Sequence, residues 1–267
     1  MIQSTSALIS SEDQTHIQVD NLTLRYGDRL IQENLNFEIK RKDIFVIMGG
    51  SGCGKSTLLK HMFGLLEPAE GDVRFNGVSL WQQELETRQK MMQRFGISYQ
   101  AGAIISSLTL AENIAMPLEL YTKLSKAEIS ELVSLKLMMV GLAGFEDYYS
   151  SEISGGMLKR AALARAIALE PEVLFFDEPS AGLDPLSARN LDELILTLSD
   201  SLNTTIVIVT HELASIFAIG SNSVFLDAQS KTMLTTGDPN YLLKTSKDAR
   251  VQRFLRRGDY QQPKETI

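Results

Sequence analysis

Gly49-Gly50-Ser51-Gly52-Cys53-Gly54-Lys55-Ser56-Thr57 fits the pattern glycine, four residues, glycine, lysine, serine or threonine. Glycines let successive N–H groups turn inward, and the apolar residues after Thr57 start a helix whose positive end faces the same point. Such a loop is a cradle for phosphate. Lys55 reaches the outer phosphates as a point charge, while the Ser56 hydroxyl takes a coordination site on magnesium. Residues 43–48 read as a buried strand directly before the loop and residues 58–66 as the helix directly after it, which is the context the pattern requires.

The chain around this loop has 267 residues, 44% of them hydrophobic, enough to bury a substantial core as one large domain or one domain with an insertion. A formal charge of −7 and a pI near 5.1 argue against a nucleic-acid partner, which needs Lys and Arg clustered on one basic face. The one basic concentration is Lys244, Lys247, Arg250, Arg253, Arg256 and Arg257. At a spacing of three it drifts around a helix, so a solvated helix is expected. The single cysteine, Cys53, lies inside the loop; no disulfide framework is possible, which suits a reducing cytoplasm. Residues 1–15 lack the charged start and apolar stretch of a signal peptide. No window holds about 18 consecutive apolar residues, so the chain is not expected to cross a membrane, although it can work at one through a partner.

Before the cradle, residues 17–26 and 35–39 carry alternating apolar positions on either side of Gly27-Asp28, the pattern of half-buried antiparallel strands. After it come a short strand at 71–75 closed by Asn76-Gly77, a mixed helical segment at 85–95, and a strand at 97–100. From about 101 the pattern turns helical, with helices at 111–120 and 126–140, the second opened by a Ser125/Glu128 capping box. Met116, Met138 and Met139 there read as core filler. Ser154-Gly155-Gly156 opens an alanine-rich helix to Leu169. Val173-Leu174-Phe175-Phe176 is an unbroken apolar run of the kind a central parallel strand shows, and it ends in Asp177-Glu178. A helix at 185–202 and a strand at 205–209 repeat the unit, with His211 just beyond. Closing strands at 224–227 and 233–237 precede a tail holding one short helix with Val251, Phe254 and Leu255 on one face. Alternating strands and helices predict a parallel α/β sheet with ligands at the C-terminal strand ends.

An acid ending a buried strand in a phosphate-loop protein holds the magnesium that bridges the outer phosphates, and Asp177 fits that place. Glu178 beside it is free to orient water and accept its proton as general base. The serine hydroxyl and glycine N–H groups of Ser154, Gly155 and Gly156 at a helix N-terminus form a second anion site.

Taken together, and in order from Tyr26 to His211, these motifs resemble the ATP-binding cassette (ABC) ATPases. The resemblance implies a RecA-like P-loop NTPase sheet core with an N-terminal antiparallel β subdomain and an inserted helical subdomain, about 101–165, within a nucleotide-binding domain spanning 16–245. It implies ATP and Mg2+ as ligands. It also implies that Tyr26 stacks on adenine, that Gln100 reaches metal and water, and that His211 contacts the γ-phosphate. Ile153-Ser154-Gly155-Gly156-Met157 resembles the signature motif that acts on the partner copy's ATP, with Met157 departing from the usual glutamine. Ser180-Ala181-Gly182-Leu183-Asp184 resembles the loop that crosses the dimer interface.

Within that family the chain looks like the ATPase subunits of Mla-type phospholipid transporters, on residues 100–106, residues 154–171 and the tail at 248–255. That likeness implies a homodimer joined to an integral membrane permease, an MCE-type lipid-binding protein and a small accessory subunit, on the cytoplasmic side of a bacterial inner membrane, with the tail at 246–267 in contact between ATPase copies. A cassette for another cargo is the alternative. A GTPase is disfavoured because no Asn-Lys-x-Asp motif occurs. A soluble cassette acting on DNA or ribosomes is disfavoured by the acidic charge and the lack of a long coiled coil or a second cassette. His16 and His61 match nothing in the family and read as ordinary surface or packing residues.

Overall fold

The computed structural model describes residues 15–100 and 102–256. The polar segment before Thr15, Ala101, Arg257 and the polar end of the tail lie outside the described residues. A six-stranded sheet forms the centre, in the order β10 (Thr232–Thr236), β9 (Asn222–Asp227), β3 (Ile44–Gly49), β8 (Thr205–Val209), β7 (Val173–Asp177) and β6 (Phe95–Ser98). All neighbours are parallel except β10 and β9. Strands β3 and β8 are buried at every position, because layers cover both faces, and this is why they read as unbroken apolar runs.

On one face lies a four-stranded antiparallel sheet, β2 (Arg29–Lys40), β1 (Thr15–Tyr26), β4 (Glu70–Phe75) and β5 (Val78–Ser79). Between the sheets an aromatic cluster gathers Phe37 stacked on Phe45, and Phe75, Phe95 and Phe175 edge to face or tilted. Helix α1 (Lys55–Met62) packs in this layer through Leu58, Leu59 and Met62. The other face carries α3 (Leu110–Tyr121), α4 (Lys126–Met139), α5 (Gly155–Ala166) and α6 (Pro185–Leu202) around a second apolar core. Thr109/Glu112 and Ser125/Glu128 close full capping boxes on α3 and α4, satisfying orphan backbone donors.

Several boundaries differ from expectation. Helix α1 begins at Lys55 rather than 58, since Gly54, in the left-handed region at φ 97, is its N-cap. Strand β6 stops at Ser98, two residues short of Gln100, which leaves that glutamine in the following loop. The segment at 85–95 forms α2 (Leu85–Met92), then enters β6. Of the three methionines, Met139 packs on the core, Met138 is exposed and Met116 lines a groove, so only Met139 is filler. Two short helices were not foreseen, α7 (Leu213–Ile219) and α8 (Pro239–Thr245); the tail helix α9 (Ala249–Leu255) buries Val251, Phe254 and Leu255. Arg250 is not simply solvated, because it bridges Asp227 at 2.8 Å and Asp248 at 2.9 Å. Both unassigned histidines are buried, so packing rather than surface is their place.

Candidate functional site

The parallel strands deliver their C-terminal ends to one edge of the central sheet. The loop after β3, Gln100 after β6, Asp177-Glu178 at the end of β7 and His211 after β8 therefore converge. They open on a cleft of about 530 Å³ lined by Tyr26, Gly49, Ser51, Gly52, Gly54, Lys55, Ser56, Thr57, Gln100, Glu178 and His211. Residues up to 185 positions apart in the chain thus meet (211 − 26).

The loop is built for close approach. Gly49 lies at φ 148, and a Cβ there would stand 2.4 Å from the Leu226 carbonyl oxygen and 2.8 Å from Cys53 Sγ, so no side chain fits. Lys55 Nζ donates to the carbonyls of Gly49 at 3.1 Å and Gly50 at 3.0 Å, which holds the ammonium over the loop. Of the nine loop residues, Cys53 turns its side chain away from the cleft into the core between the sheets. Burial pushes its thiol pKa up, the opposite of what a nucleophilic cysteine needs. Gly50 does not line the cleft with a side of its own; its contribution is the carbonyl that Lys55 holds.

Ser56 Oγ donates to Asp177 Oδ1 at 2.8 Å. Two oxygens sharing an octahedral magnesium at its usual ligand distance stand about 2.9 Å apart in neighbouring positions, so this hydroxyl and carboxylate fit that ion as they stand. Glu178 sits in the left-handed region at φ 50, a strain of about 1 kcal/mol or more for a residue with a Cβ. Its Oε1 lies 2.8 Å from His211 Nδ1, while its Oε2 is buried without a protein partner. A buried carboxylate oxygen left open in this way is poised to accept a hydrogen bond from a small ligand. Tyr26 stands at the rim with its ring half exposed.

Ser154 and Gly156 lie elsewhere, in a separate cleft with Arg160, Leu183 and Ser187. The Ser154 hydroxyl accepts from the Met157 N–H at 3.2 Å and so caps α5, keeping its own hydrogen free to donate. Gly155 follows as the first residue of that helix. Asp184 caps α6, accepting from Leu186 N–H at 3.1 Å and Ser187 N–H at 3.0 Å; the Ser187 hydroxyl and these amides hold its carboxyl below the usual range. The loop of residues 49–57 and the segment of residues 154–156 thus line separate clefts.

Other residues shape the cleft without having been singled out from sequence. Arg29 and Ile31 line it. From α5, Lys159 donates to the Gln100 carbonyl, and Arg165 donates to the carbonyls of Ala103 at 2.7 Å and Gly102 at 3.2 Å. Burial lowers the Lys159 pKa, partly offset by Glu178 nearby. These contacts join α5 to the Gln100 loop, and nothing in the local pattern of either segment announces them.

A phosphate cradle at the end of β3, a carboxylate pair at the end of β7 and a capped glycine helix set apart from both define a nucleotide-hydrolysing cassette. The family model described as ABC transporter matches residues 32–181, and the chain belongs to that family as an ATPase of a transporter. Among its relatives, the intermembrane phospholipid transport system ATP-binding protein MlaF of Haemophilus influenzae is 38% identical over 244 residues, 91% of each chain. MlaF of Escherichia coli is 34% identical over 255 residues, 96% of this chain and 91% of that one. A Mycobacterium leprae protein described as a probable ribonucleotide transport ATP-binding protein, mkl, is 36% identical, with 90% of this chain and 68% of that protein covered. Two solved structures share the fold and over a quarter of the sequence. Clostridium perfringens cbiO1, part of the ABC transporter complex cbiONQ, gives a TM-score of 0.79 at 26% identity over 92% of this chain and 97% of that one. The ATP-binding cassette MJ0796, dimeric and bound to ADP and Pi in a post-hydrolysis state, gives 0.75 at 26% over 83% and 98%.

Proposed function

We propose that this chain is the ATP-hydrolysing subunit of a membrane transporter for phospholipid, working as a pair of identical copies. The likeness to MlaF along 91% of both chains carries the choice of cargo. In this reading the loop from Gly49 to Thr57 receives the ATP phosphates, Lys55 places its charge on the outer ones, and Tyr26 offers its exposed ring to the base. Ser56 and Asp177 hold magnesium, which when bound neutralises phosphate charge. His211 fixes one oxygen of Glu178, and the other oxygen takes the proton of the attacking water. Gln100 carries the state of the cleft toward the helical layer. Ser154, Gly155 and Gly156 serve the ATP held by the second copy, with Asp184 at the crossing between copies.

The helical layer of residues 101–165 gives the cassette a face for a permease. A groove of about 630 Å³ between the central sheet and α3 is lined by Met92, Phe95, Met116, Leu120, Tyr121 and Leu169. Leu120 and Tyr121 are well exposed, a costly arrangement for apolar side chains unless something covers them. No helix of the described residues is long and apolar enough to cross a membrane; attachment to the cytoplasmic side of the inner membrane is through that permease. By the same likeness an MCE-type protein and a small accessory subunit complete the assembly, and the segment after 246 contacts the second copy.

A second reading, another cargo, draws on the mycobacterial relatives whose description names ribonucleotide. Purifying the chain from its native membranes separates the two. Phospholipid and an MCE-type protein are expected to come with a permease; a complex without lipid whose ATPase responds to ribonucleotide instead would replace the lipid assignment.

A further inference from the structure

Strand β2 places a fully buried glutamine, Gln32, directly behind the phosphate loop. Its amide nitrogen donates to the Cys53 carbonyl at 2.7 Å and to the Asp227 carbonyl at 3.0 Å, using both hydrogens on backbone. Its own oxygen is buried without a partner. The surroundings are apolar: Leu24 is its cross-strand partner, and Cys53 and Leu226, at or beside the carbonyls it holds, belong to the core between the sheets. A leucine or methionine would fill this volume and spare the unpaired amide oxygen, but it would leave the Cys53 and Asp227 carbonyls without the donors they have here. The glutamine therefore has a task that volume does not explain.

The task follows from peptide geometry. In a planar trans peptide the carbonyl of one residue and the N–H of the next point in opposite directions. Gln32 draws the Cys53 carbonyl toward the core, so the Gly54 N–H faces the other way, to the cleft that Gly54 lines. Gly54 is held in the left-handed region at φ 97, where a Cβ would stand 2.6 Å from Ile31 Cγ2 and 3.5 Å from Gln32 Cγ, so strand β2 is the wall against which this turn is shaped. The second hydrogen bond ties the same amide to the end of β9, whose Leu226 carbonyl closes on Gly49 at the loop's other end. Asp227 is itself anchored: although burial pushes its carboxyl up, hydrogen bonds from Ser230 and the charge of Arg250 hold it below the usual range.

We propose that Gln32 is a positioning residue for the phosphate loop: by holding the Cys53 peptide it aims the Gly54 N–H at the bound phosphate and ties that part of the loop to the end of β9. This rests on the reading of the loop as the ATP cradle. The test compares Gln32→Leu, Lys55→Ala and Leu142→Ala in the full chain, measuring ATP affinity by titration, unfolding midpoint without nucleotide, and steady-state ATPase. Leu142 is buried in the other core, far from the loop, and reports what lost stability does by itself. Gln32→Leu is expected to weaken ATP binding about tenfold and raise KM by a similar factor with kcat within about threefold, while Leu142→Ala, destabilised as much or more, keeps its affinity. Affinity within about twofold of the parent in Gln32→Leu, or an equal loss in Leu142→Ala, overturns the role of Gln32. Should Gln32→Leu not fold, Gln32→Met carries the same comparison. Undiminished binding in Lys55→Ala would bring down the cradle reading itself, an outcome distinct from a failure of Gln32 alone.

Discussion

At the scale of single residues, the cleft owes its chemistry to how little each carboxylate is allowed to do. Asp177 is engaged by the Ser56 hydroxyl, and one oxygen of Glu178 is engaged by His211, which leaves one buried carboxylate oxygen without a protein donor. The left-handed backbone of Glu178 is a cost accepted to hold that oxygen where it is. Replacing Glu178 with Gln keeps size and the contact with His211 but removes the proton acceptor. Turnover is expected to fall about 10²- to 10⁴-fold, the usual share of a general base, with ATP binding retained and the nucleotide-bound pair accumulating on a sizing column. A variant that still hydrolyses ATP at near the parent rate would remove Glu178 from the role. Both acids were legible in the sequence because their place is set locally, by the end of an apolar run. The Cys53 side chain was not: the pattern puts it in the loop, but the core behind the loop decides where its sulfur goes.

At the scale of elements, strand ends are coupled by contacts that local patterns do not contain. His16, near the start of β1, sets Nδ1 2.7 Å from the Thr205 hydroxyl at the start of β8, 189 residues away, and Nε2 3.7 Å from Glu172 just before β7. It therefore joins the two sheets at the edge opposite the cleft, and its position follows from their stacking, not from anything near residue 16. Burial, with the charge of Arg41, lowers its pKa from 6.5 to about 4, against a raising effect of Glu172. The neutral ring is the native form, so between these values the unfolded chain binds a proton that the folded chain does not. Stability is expected to fall as pH drops from 6.5 toward about 4 and to lose nothing further from this group below that, at a total cost of at most about 3 kcal/mol. Denaturant titrations of the parent and His16→Asn across this range check it: the difference between the two should narrow toward acid, and parallel curves would show that His16 does not titrate on unfolding. The two unforeseen helices show a different limit of local reading. Helix α7 has seven residues and no side-chain cap, so it offers no start signal, whereas α8 carries Asp238 as N-cap and Pro239 behind it, a signal the closing strands overshadowed.

At the scale of the whole molecule, two apolar cores hold one sheet between them, and the loop of residues 49–57 and the segment of residues 154–156 sit on different sides of that arrangement. The cradle belongs to the layer shared with the antiparallel sheet, and α5, which carries Ser154 at its start, to the helical layer. Within one copy they line separate clefts, so each is half of a site that a second copy completes in the proposed function. This makes a prediction that no single-chain site can imitate. A chain with Lys55→Ala has a failed cradle and an intact signature segment; a chain with Ser154→Arg has the reverse. Each alone is expected to be nearly inactive. When the two are unfolded and refolded together, mixed pairs bring the intact cradle of one chain against the intact signature segment of the other. Random pairing makes about half of the pairs mixed, each with one good site of two, so activity is expected to return to about a quarter of the parent level if the sites work independently. Recovery to nothing above the separate variants would mean either that both sites must fire together or that the signature segment does not act across the pair. Crosslinked mixed pairs measured for ATP trapping distinguish these, because a pair whose one good site still closes on nucleotide without turning over keeps the composite site and loses only the independence.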